Sequence, residues 1–133
     1  MALLYLDSSA LVKLVRAEPE SAALTAFTKD AELISCELAL TELPRAVRRA
    51  VPDDPSRLLE HAGQVLDAVA LLPLHRALLL AAGSFTEQAL RALDAIHLAA
   101  AIDASPIDAF VSYDERQSGA ARLAGFRTVA PGR

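Results

Sequence analysis

Short apolar runs alternate with helical segments along the chain, and this alternation constrains the fold more than any other feature of the sequence. The runs are ALLYL at 2–6, ELIS at 32–35, ALLPL at 70–74, IDAFVSYD at 107–114 and FRTVA at 126–130. A short run without polar alternation is typical of a strand buried on both faces, as in a parallel sheet covered by helices. The sequence therefore predicts an α/β fold with a parallel sheet and helices on both sides.

Helical periodicity fills the intervals between these runs. Apolar residues recur at helical spacing in seven segments, at 9–17, 20–29, 37–51, 56–69, 75–82, 86–103 and 115–125. A chain of 133 residues, of which 53% are hydrophobic, is the size of one compact domain with a single core. We therefore predict one helix-rich domain over residues 1–133.

Charge and cysteine content exclude several classes of protein. A net charge of −4 has the wrong sign for a protein that wraps nucleic acid with a broad basic face. The single cysteine, Cys36, cannot form an internal disulfide, and the three histidines stand too far apart for a zinc site. Because no basic segment precedes the apolar N-terminal residues and no apolar stretch is long enough to span a bilayer, we expect a cytoplasmic protein without a membrane partner.

Four acidic residues occupy positions where a carboxylate needs an explanation. Asp7 and Asp114 each directly follow an apolar strand, whereas Glu42 and Asp94 interrupt the apolar helical segments ELALTEL and ALRALDAIHLAAA. A buried carboxylate is costly unless a hydrogen-bond network or a metal ion pairs with it. Since ligands of α/β sheets bind at the carboxyl ends of the strands, Asp7 and Asp114 converge there if their strands are neighbours.

A divalent cation would let these four carboxylates share one site. Like charges that are brought together raise one another's pKa values unless a cation neutralises them. Ligand sets made only of oxygen suit Mg²⁺ or Mn²⁺, and such a site supports attack of a metal-activated water on a phosphodiester. We therefore predict a catalytic carboxylate site that binds Mg²⁺ or Mn²⁺, made of Asp7, Glu42, Asp94 and Asp114.

Each acid also has an ordinary structural explanation. Asp7 and Asp114 could serve only as helix N-caps, for which Asp is among the best residues. Glu42 could form a surface ion pair with an arginine one or two turns further along its helix, and Asp94 could face solvent. Taken together, four acids in such positions favour a functional site over four separate explanations.

Four segments, in their order along the chain, carry a family resemblance: YLDSSALVKL at 5–14, LALTELPRAVRR at 38–49, ALRALDAIHLAAA at 89–101 and FVSYDERQSGAARLAGFRTVAP at 110–131. They resemble the PIN domain, and most closely the VapC-type toxins of toxin–antitoxin pairs. The resemblance spans essentially the whole chain, and the LDAIHLAAA block is its most specific part. It implies a three-layer α/β/α fold with a short parallel sheet and a site of three or four acids that binds Mg²⁺ or Mn²⁺.

The resemblance also assigns roles to individual residues. Asp7 and Asp94 match the positions most firmly expected to touch the metal. Ser8 and Ser112 match hydroxyl positions that support the acids by hydrogen bonding. Arg45 and Arg49, one turn apart on the helix that carries Glu42, are then placed to contact RNA phosphates close to the metal.

The function implied by the resemblance is that of a metal-dependent endoribonuclease toxin, which hydrolyses phosphodiester bonds of RNA. A cognate VapB-type antitoxin is the implied protein partner. We also expect a homodimer or a larger toxin–antitoxin assembly, for which the Leu-rich helices at 58–82 offer an apolar surface.

Two other functions remain open at the level of the sequence. A haloacid-dehalogenase-type phosphatase also begins with an apolar strand that ends in Asp, but its second aspartate would fall on Ser9. A PIN-like module that binds RNA or protein without catalysis is the other alternative. Two details also stay open, namely whether His97 does more than pack or donate a hydrogen bond, and whether Asp114 or Glu115 faces the site.

Overall fold

The computed structural model describes residues 1–133 and contains one sheet of five parallel strands. The strands are β1 (Leu3–Leu6), β2 (Glu32–Cys36), β3 (Ala70–Leu72), β4 (Ala109–Val111) and β5 (Thr128–Val129). Their order across the sheet is β3-β2-β1-β4-β5. Each predicted apolar run overlaps one strand, so the predicted parallel sheet is confirmed.

Seven helices connect and cover the strands. They are α1 (Ser8–Val15), α2 (Ser21–Thr28), α3 (Ala39–Ala50), α4 (Ser56–Asp67), α5 (Arg76–Gly83), α6 (Ala92–Ala104) and α7 (Glu115–Leu123). Each helix overlaps one of the predicted helical segments. None of them combines the length and the apolar character that crossing a membrane requires.

The helices form two layers because side chains of the strands alternate between the faces of the sheet. Leu4 and Leu6 of β1 pack into a core with α1, α2, α3 and α4, whereas Tyr5 packs on the opposite face with α5, α6 and α7. The second core is built largely from alanines of α6 and α7, which let these helices approach the sheet closely. The predicted three-layer α/β/α fold is therefore confirmed.

The site is positioned by the reversal of strand order at β1. The chain runs from β1 to β2 and β3 on one side, and then crosses to β4 and β5 on the other side. Leu6 pairs with Val111 at the carboxyl ends of β1 and β4, and the backbone N–H of Asp7 donates to the Val111 carbonyl at 3.2 Å. The strands that precede Asp7 and Asp114 are therefore neighbours, which was the condition for both acids to lie at the ligand-binding edge of the sheet.

The start of α6 differs from the prediction. The helical segment was expected to begin at residue 86, but α6 begins at Ala92 after a loop, with Arg91 as an extended N-cap. The sequence TEQALR is composed mostly of good helix formers, so local propensity favours a helix that the tertiary structure does not contain. As a result, Asp94 lies in the first turn of α6 rather than in the middle of a helix.

Candidate active site

Asp7 is fixed by three donors directly after β1. Its Oδ1 accepts hydrogen bonds from Ser9 Oγ at 2.6 Å and from the backbone N–H of Ala10 at 3.1 Å, and its Oδ2 accepts from Ser112 Oγ at 2.5 Å. The hydrogen bond from Ala10 makes Asp7 the N-cap of α1, which is the structural role that the sequence also allowed. Asp7 is only 4% exposed, and this burial raises the pKa of its carboxyl group. The hydrogen bonds from Ser112 and Ser9 counteract the rise.

The hydroxyls around Asp7 come from β4 and from the first turn of α1. Ser112 was predicted to support an acid, and it donates to Asp7. The second hydroxyl was predicted at Ser8, but Ser9 occupies that place, because neighbouring residues of a helix point about 100° apart. Ser9 Oγ also accepts from the backbone N–H of Tyr113 at 2.9 Å, which ties α1 to the end of β4.

His97 holds Glu42 from the opposite layer of helices. Its Nε2 lies 2.6 Å from Glu42 Oε1, and its Nδ1 lies 2.8 Å from the Tyr5 hydroxyl. Burial alone would lower the pKa of His97, but hydrogen bonds and charge interactions with Cys36 and Glu42 raise it to about 10. A pKa raised in this direction favours the protonated ring, in which Nε2–H donates to Glu42 and Nδ1–H donates to Tyr5. Glu42 forms no ion pair with an arginine of α3, which removes its surface ion-pair explanation.

Asp94 is the acid with the fewest partners. Asp94 is the third residue of α6 and is half-buried, and no side chain donates a hydrogen bond to its carboxylate. Burial and the negative charges of Asp114 and, to a smaller extent, Glu42 raise the pKa of the Asp94 carboxyl. The backbone N–H groups in the first turn of α6 stabilise the negative charge of the Asp94 carboxylate, but a bound cation would stabilise that charge far more strongly.

Asp114 reaches the same region from the N-terminus of α7. Its Oδ1 accepts from the backbone N–H groups of Arg116 at 2.9 Å and Gln117 at 3.3 Å, so it caps α7 and leaves Oδ2 without a protein donor. The adjacent Glu115 is turned away, since its side chain is 85% exposed and lies 3.9 Å from Arg122. Asp114 is thus the one of the two neighbouring acids that faces the site.

Gln117 connects the helices that carry Asp94 and Asp114. Its Nε2 donates to the backbone carbonyl of Asp94 at 3.1 Å, and the Gln117 residue is fully buried. Its Oε1 is one of two buried side-chain polar atoms in the structure without a hydrogen-bond partner. The glutamine therefore fixes the start of α6 against α7, and with it the relative positions of the two acids.

Two adjoining cavities open beside these acids. A cavity of about 360 Å³, called the acid cavity below, is lined by Glu42, Arg91, Leu93, Asp94, Asp114 and Arg116. A groove of about 590 Å³ runs along α1 and α3, and its lining includes Ser8, Lys13, Glu42, Arg45, Arg49 and Leu93. Glu42 and Leu93 line both, so the groove and the acid cavity meet at these two residues. Asp7 lies beneath and lines neither.

The donor set has the chemistry that a hard divalent cation requires. Three carboxylates line the acid cavity, and the pKa of Asp94 is raised first by burial and then by repulsion from Asp114, both of which a cation would counteract. Asp7 uses three acceptor positions for protein donors and keeps room for one more partner. No group of three or more acidic, histidine or cysteine side chains is already drawn together as a metal site. The residues fit such an ion in type and location, and binding one requires their side chains to move closer together.

Some residues of this site carried no clear signal in the sequence. Ser9 stands beside the serine that was predicted, and Gln117 lies in a polar stretch of helix without any distinguishing pattern. His97 stands three residues after Asp94 in the sequence, but its partner Glu42 is 55 residues away in the chain. Only the packing of α6 against the sheet brings that pair together.

Comparisons with known proteins agree with this architecture. A family model described as PIN domain matches residues 4–123. The protein named Ribonuclease VapC35 from Mycobacterium tuberculosis is 39% identical over 98% of this chain and 98% of its own length. Ribonuclease VapC47 from the same species is 36% identical with the same coverage of both chains. The crystal structure of Mycobacterium tuberculosis VapC20, described as a toxin that cleaves the sarcin–ricin loop, aligns with a TM-score of 0.75 and 16% identity over 96% of this chain and 99% of that chain.

Proposed function

The chain belongs to the PIN domain family and, within it, to the VapC ribonucleases, and from this premise we propose that it is a Mg²⁺- or Mn²⁺-dependent endoribonuclease toxin. The observation that carries the proposal is the acid cavity at the carboxyl ends of β1 and β4. Three half-buried carboxylates line this cavity, next to a groove that carries unpaired arginines. That combination suits a phosphodiester substrate and a divalent cation.

The residues of the chain divide the work of the reaction. Asp94, Asp114 and Glu42 would supply the oxygens that hold the cation, and Asp7 would supply a carboxylate that is already fixed by hydrogen bonds. When bound, Mg²⁺ or Mn²⁺ supplies the positive charge that activates a water and stabilises the leaving oxygen. Arg45 and Arg49 carry no ion pair in the structure and bind phosphates of the RNA along the groove.

His97 acts through Glu42 rather than on the substrate. Its Nε2–H fixes one oxygen of the Glu42 carboxylate, so the other oxygen remains oriented toward ligands. The residue is only 1% exposed, which keeps the imidazole away from RNA. A proton shuttle to the substrate is therefore not part of the proposal.

Asp94→Asn provides the most direct test, because this carboxylate makes the fewest contacts within the protein. Cleavage of total cellular RNA in Mn²⁺ should fall at least about a hundredfold, which corresponds to about 2.7 kcal/mol of transition-state stabilisation. Asp103→Asn is the matched control, since Asp103 lies on the same helix with a 49% exposed side chain that contacts only His75. Undiminished cleavage by folded Asp94→Asn protein would remove the assignment of the site.

The non-catalytic alternative is separated from this proposal by metal binding. A module without catalysis predicts no cleavage and no Mn²⁺ binding in calorimetry, whereas the proposed enzyme binds Mn²⁺ and loses that binding in Asp94→Asn. The phosphatase alternative is not pursued, because the chain belongs to the PIN domain family and Ser9 donates to Asp7 where a second aspartate would be needed.

The same proposal includes the partners and location expected of such a toxin. A cognate VapB-type antitoxin would block the site in the cytoplasm. A homodimer would use apolar side chains of α5 that are exposed in the single chain, among them Leu79 at 43% and Leu80 at 64%. Leu80→Glu should convert the dimer to a monomer in light-scattering measurements, and an unchanged mass would exclude this face as the interface.

A further inference from the structure

Two arginines without a partner line the acid cavity. Arg91 is the N-cap residue of α6 and Arg116 lies in the first turn of α7, and both side chains are exposed. Neither forms an ion pair, although Glu42, Asp94 and Asp114 line the same cavity. Their guanidinium donors therefore remain available for a ligand.

Other basic side chains near the site are already engaged. Lys13 lies 3.3 Å from Glu18 and 3.1 Å from Glu20, and Arg133 lies 3.4 Å from Glu20 and donates to the backbone carbonyl of Tyr113. These contacts hold α1, α2 and the segment after β5 together. The basic groups that stay free around the two cavities are thus Arg45 and Arg49 in the groove and the two arginines of the acid cavity.

One free pair lies in each cavity, Arg45 and Arg49 in the groove and Arg91 and Arg116 beside the acids. Glu42 and Leu93 form the boundary between the groove and the acid cavity, so a strand that follows the groove past Glu42 enters the acid cavity next. Leu93 is 48% exposed at this boundary and offers an apolar surface for a ribose or base. Beyond it, a phosphate meets guanidinium groups, whose planar donors suit phosphate oxygens better than any other side chain.

We infer that Arg91 and Arg116 bind RNA phosphates in the acid cavity, in addition to Arg45 and Arg49 in the adjoining groove, so that single-stranded RNA occupies both cavities and contacts both arginine pairs. This inference rests on the proposed function, because it takes RNA as the ligand of the acid cavity. The charge of the cavity is also compatible with RNA binding. Three carboxylates and two guanidinium groups leave it with a net charge of −1, which a bound divalent cation would change to +1. The substrate is then positioned by phosphate contacts in both cavities.

The experiment measures RNA binding in the absence of cleavage. Fluorescence anisotropy is recorded in EDTA with a fluorescein-labelled, single-stranded RNA of mixed sequence, at a series of salt concentrations. The double variants are Arg91→Gln with Arg116→Gln, and Arg45→Gln with Arg49→Gln. The control is Arg57→Gln with Arg76→Gln, because these two arginines are also exposed in first helical turns without ion pairs, but line neither cavity.

Each site pair should weaken RNA binding about tenfold and reduce the slope of log K against log salt by about 1.4, since each phosphate contact on a single strand contributes about 0.7. The control pair should leave the slope unchanged. Equal melting temperatures of all variants show that the loss is not one of folding.

The inference is overturned if the variant of Arg91 and Arg116 binds RNA like the control pair, or if the wild type binds no RNA. In particular, a lower melting temperature with unchanged RNA binding would make the two arginines counter-ions of the acids, and loss of antitoxin binding alone would make them a protein contact. Failure of the proposed function looks different. In that case, the wild type would bind RNA through both arginine pairs and yet cleave none in Mn²⁺.

Discussion

The floor of the site and its rim are built in opposite ways. The floor consists of Asp7, Ser9, Ser112, Glu42 and His97, where each side chain is hydrogen-bonded to another. The rim consists of Arg91, Asp94, Asp114 and Arg116, which line the acid cavity and make no ion pairs with one another. Interactions that the folded protein makes by itself contribute to its stability, whereas groups left free contribute only when a ligand arrives. The floor should therefore govern folding and activity together, whereas the rim should govern activity alone, except that Asp114 also stabilises α7 as its N-cap.

The largest loss of stability is expected for His97→Ala, because this substitution removes the buried side chain that is hydrogen-bonded to Glu42. Loss of one member of a buried ion pair leaves the other uncompensated and should cost about 3–5 kcal/mol in the free energy of unfolding. Urea unfolding measures this cost. His61→Ala is the matched control, because His61 is exposed on α4 and should change stability by no more than about 0.5 kcal/mol. Equal midpoints for the two variants would show that the contact between His97 and Glu42 is not stabilising.

A smaller difference is expected between two carboxylates that were both predicted to touch the metal. Asp7→Ala removes the N-cap of α1 and leaves the hydroxyls of Ser9 and Ser112 without their acceptor, at a cost of about 2–3 kcal/mol. Asp94→Ala removes no hydrogen bond from a side chain and relieves repulsion with Asp114, so the free energy of unfolding should stay the same or rise. Both variants should lose RNA cleavage. Equal destabilisation by the two substitutions would abolish the distinction between floor and rim.

The parts of the site that the sequence predicts are those fixed by the strands. Asp7 and Asp114 follow apolar runs, and the parallel order of β1 and β4 places both at one edge of the sheet. The inference for these two acids needs only the rule that ligands bind at the carboxyl ends of parallel strands. Ser112, by contrast, was expected from the family resemblance, and its hydrogen bond to Asp7 agrees with that expectation.

The remaining parts depend on how separate helices pack, and no local pattern determines that. Helix propensity extended α6 back to residue 86, so its true start at Ala92 and the place of Arg91 in the acid cavity could not be foreseen. The bond between His97 and Glu42 joins opposite layers of helices. Glu42 was instead given an arginine partner on its own helix as one explanation, because spacing within a helix is visible in a sequence and distance between helices is not.

Gln117→Leu tests whether the position of the rim depends on a buried amide. The substitution removes the bond from Nε2 to the Asp94 carbonyl, but it also removes the unpartnered Oε1, so stability should change by less than about 1 kcal/mol. RNA cleavage should fall about tenfold, equivalent to about 1.4 kcal/mol, because α6 and α7 no longer hold Asp94 and Asp114 at a fixed separation. Gln88→Leu, in the loop before α6, is the control and should cleave RNA at the wild-type rate.

If Gln117→Leu cleaves RNA at the wild-type rate, the amide has only a packing role. A loss of cleavage that higher Mn²⁺ concentrations restore would support the positioning role, since the two acids would still be present but would hold the cation less tightly.

The smallest effect concerns the pH dependence of stability at the rim. Since burial and the charge of Asp114 raise the pKa of Asp94 in the folded protein above its ordinary value of 3.8, the folded state binds the proton more tightly than the unfolded state does. The contribution of Asp94 to stability therefore increases as the pH falls through the folded pKa, and it is fully gained below 3.8. In EDTA, the free energy of unfolding of Asp94→Asn relative to wild type should accordingly be highest at neutral pH and decrease toward acidic pH. Asp7 also has a raised pKa, but it is present in both proteins and cancels in the difference. A difference that does not change with pH would mean that neither burial nor the charge of Asp114 raises the pKa of Asp94 in the folded protein, and would remove one of the arguments for a cation beside it.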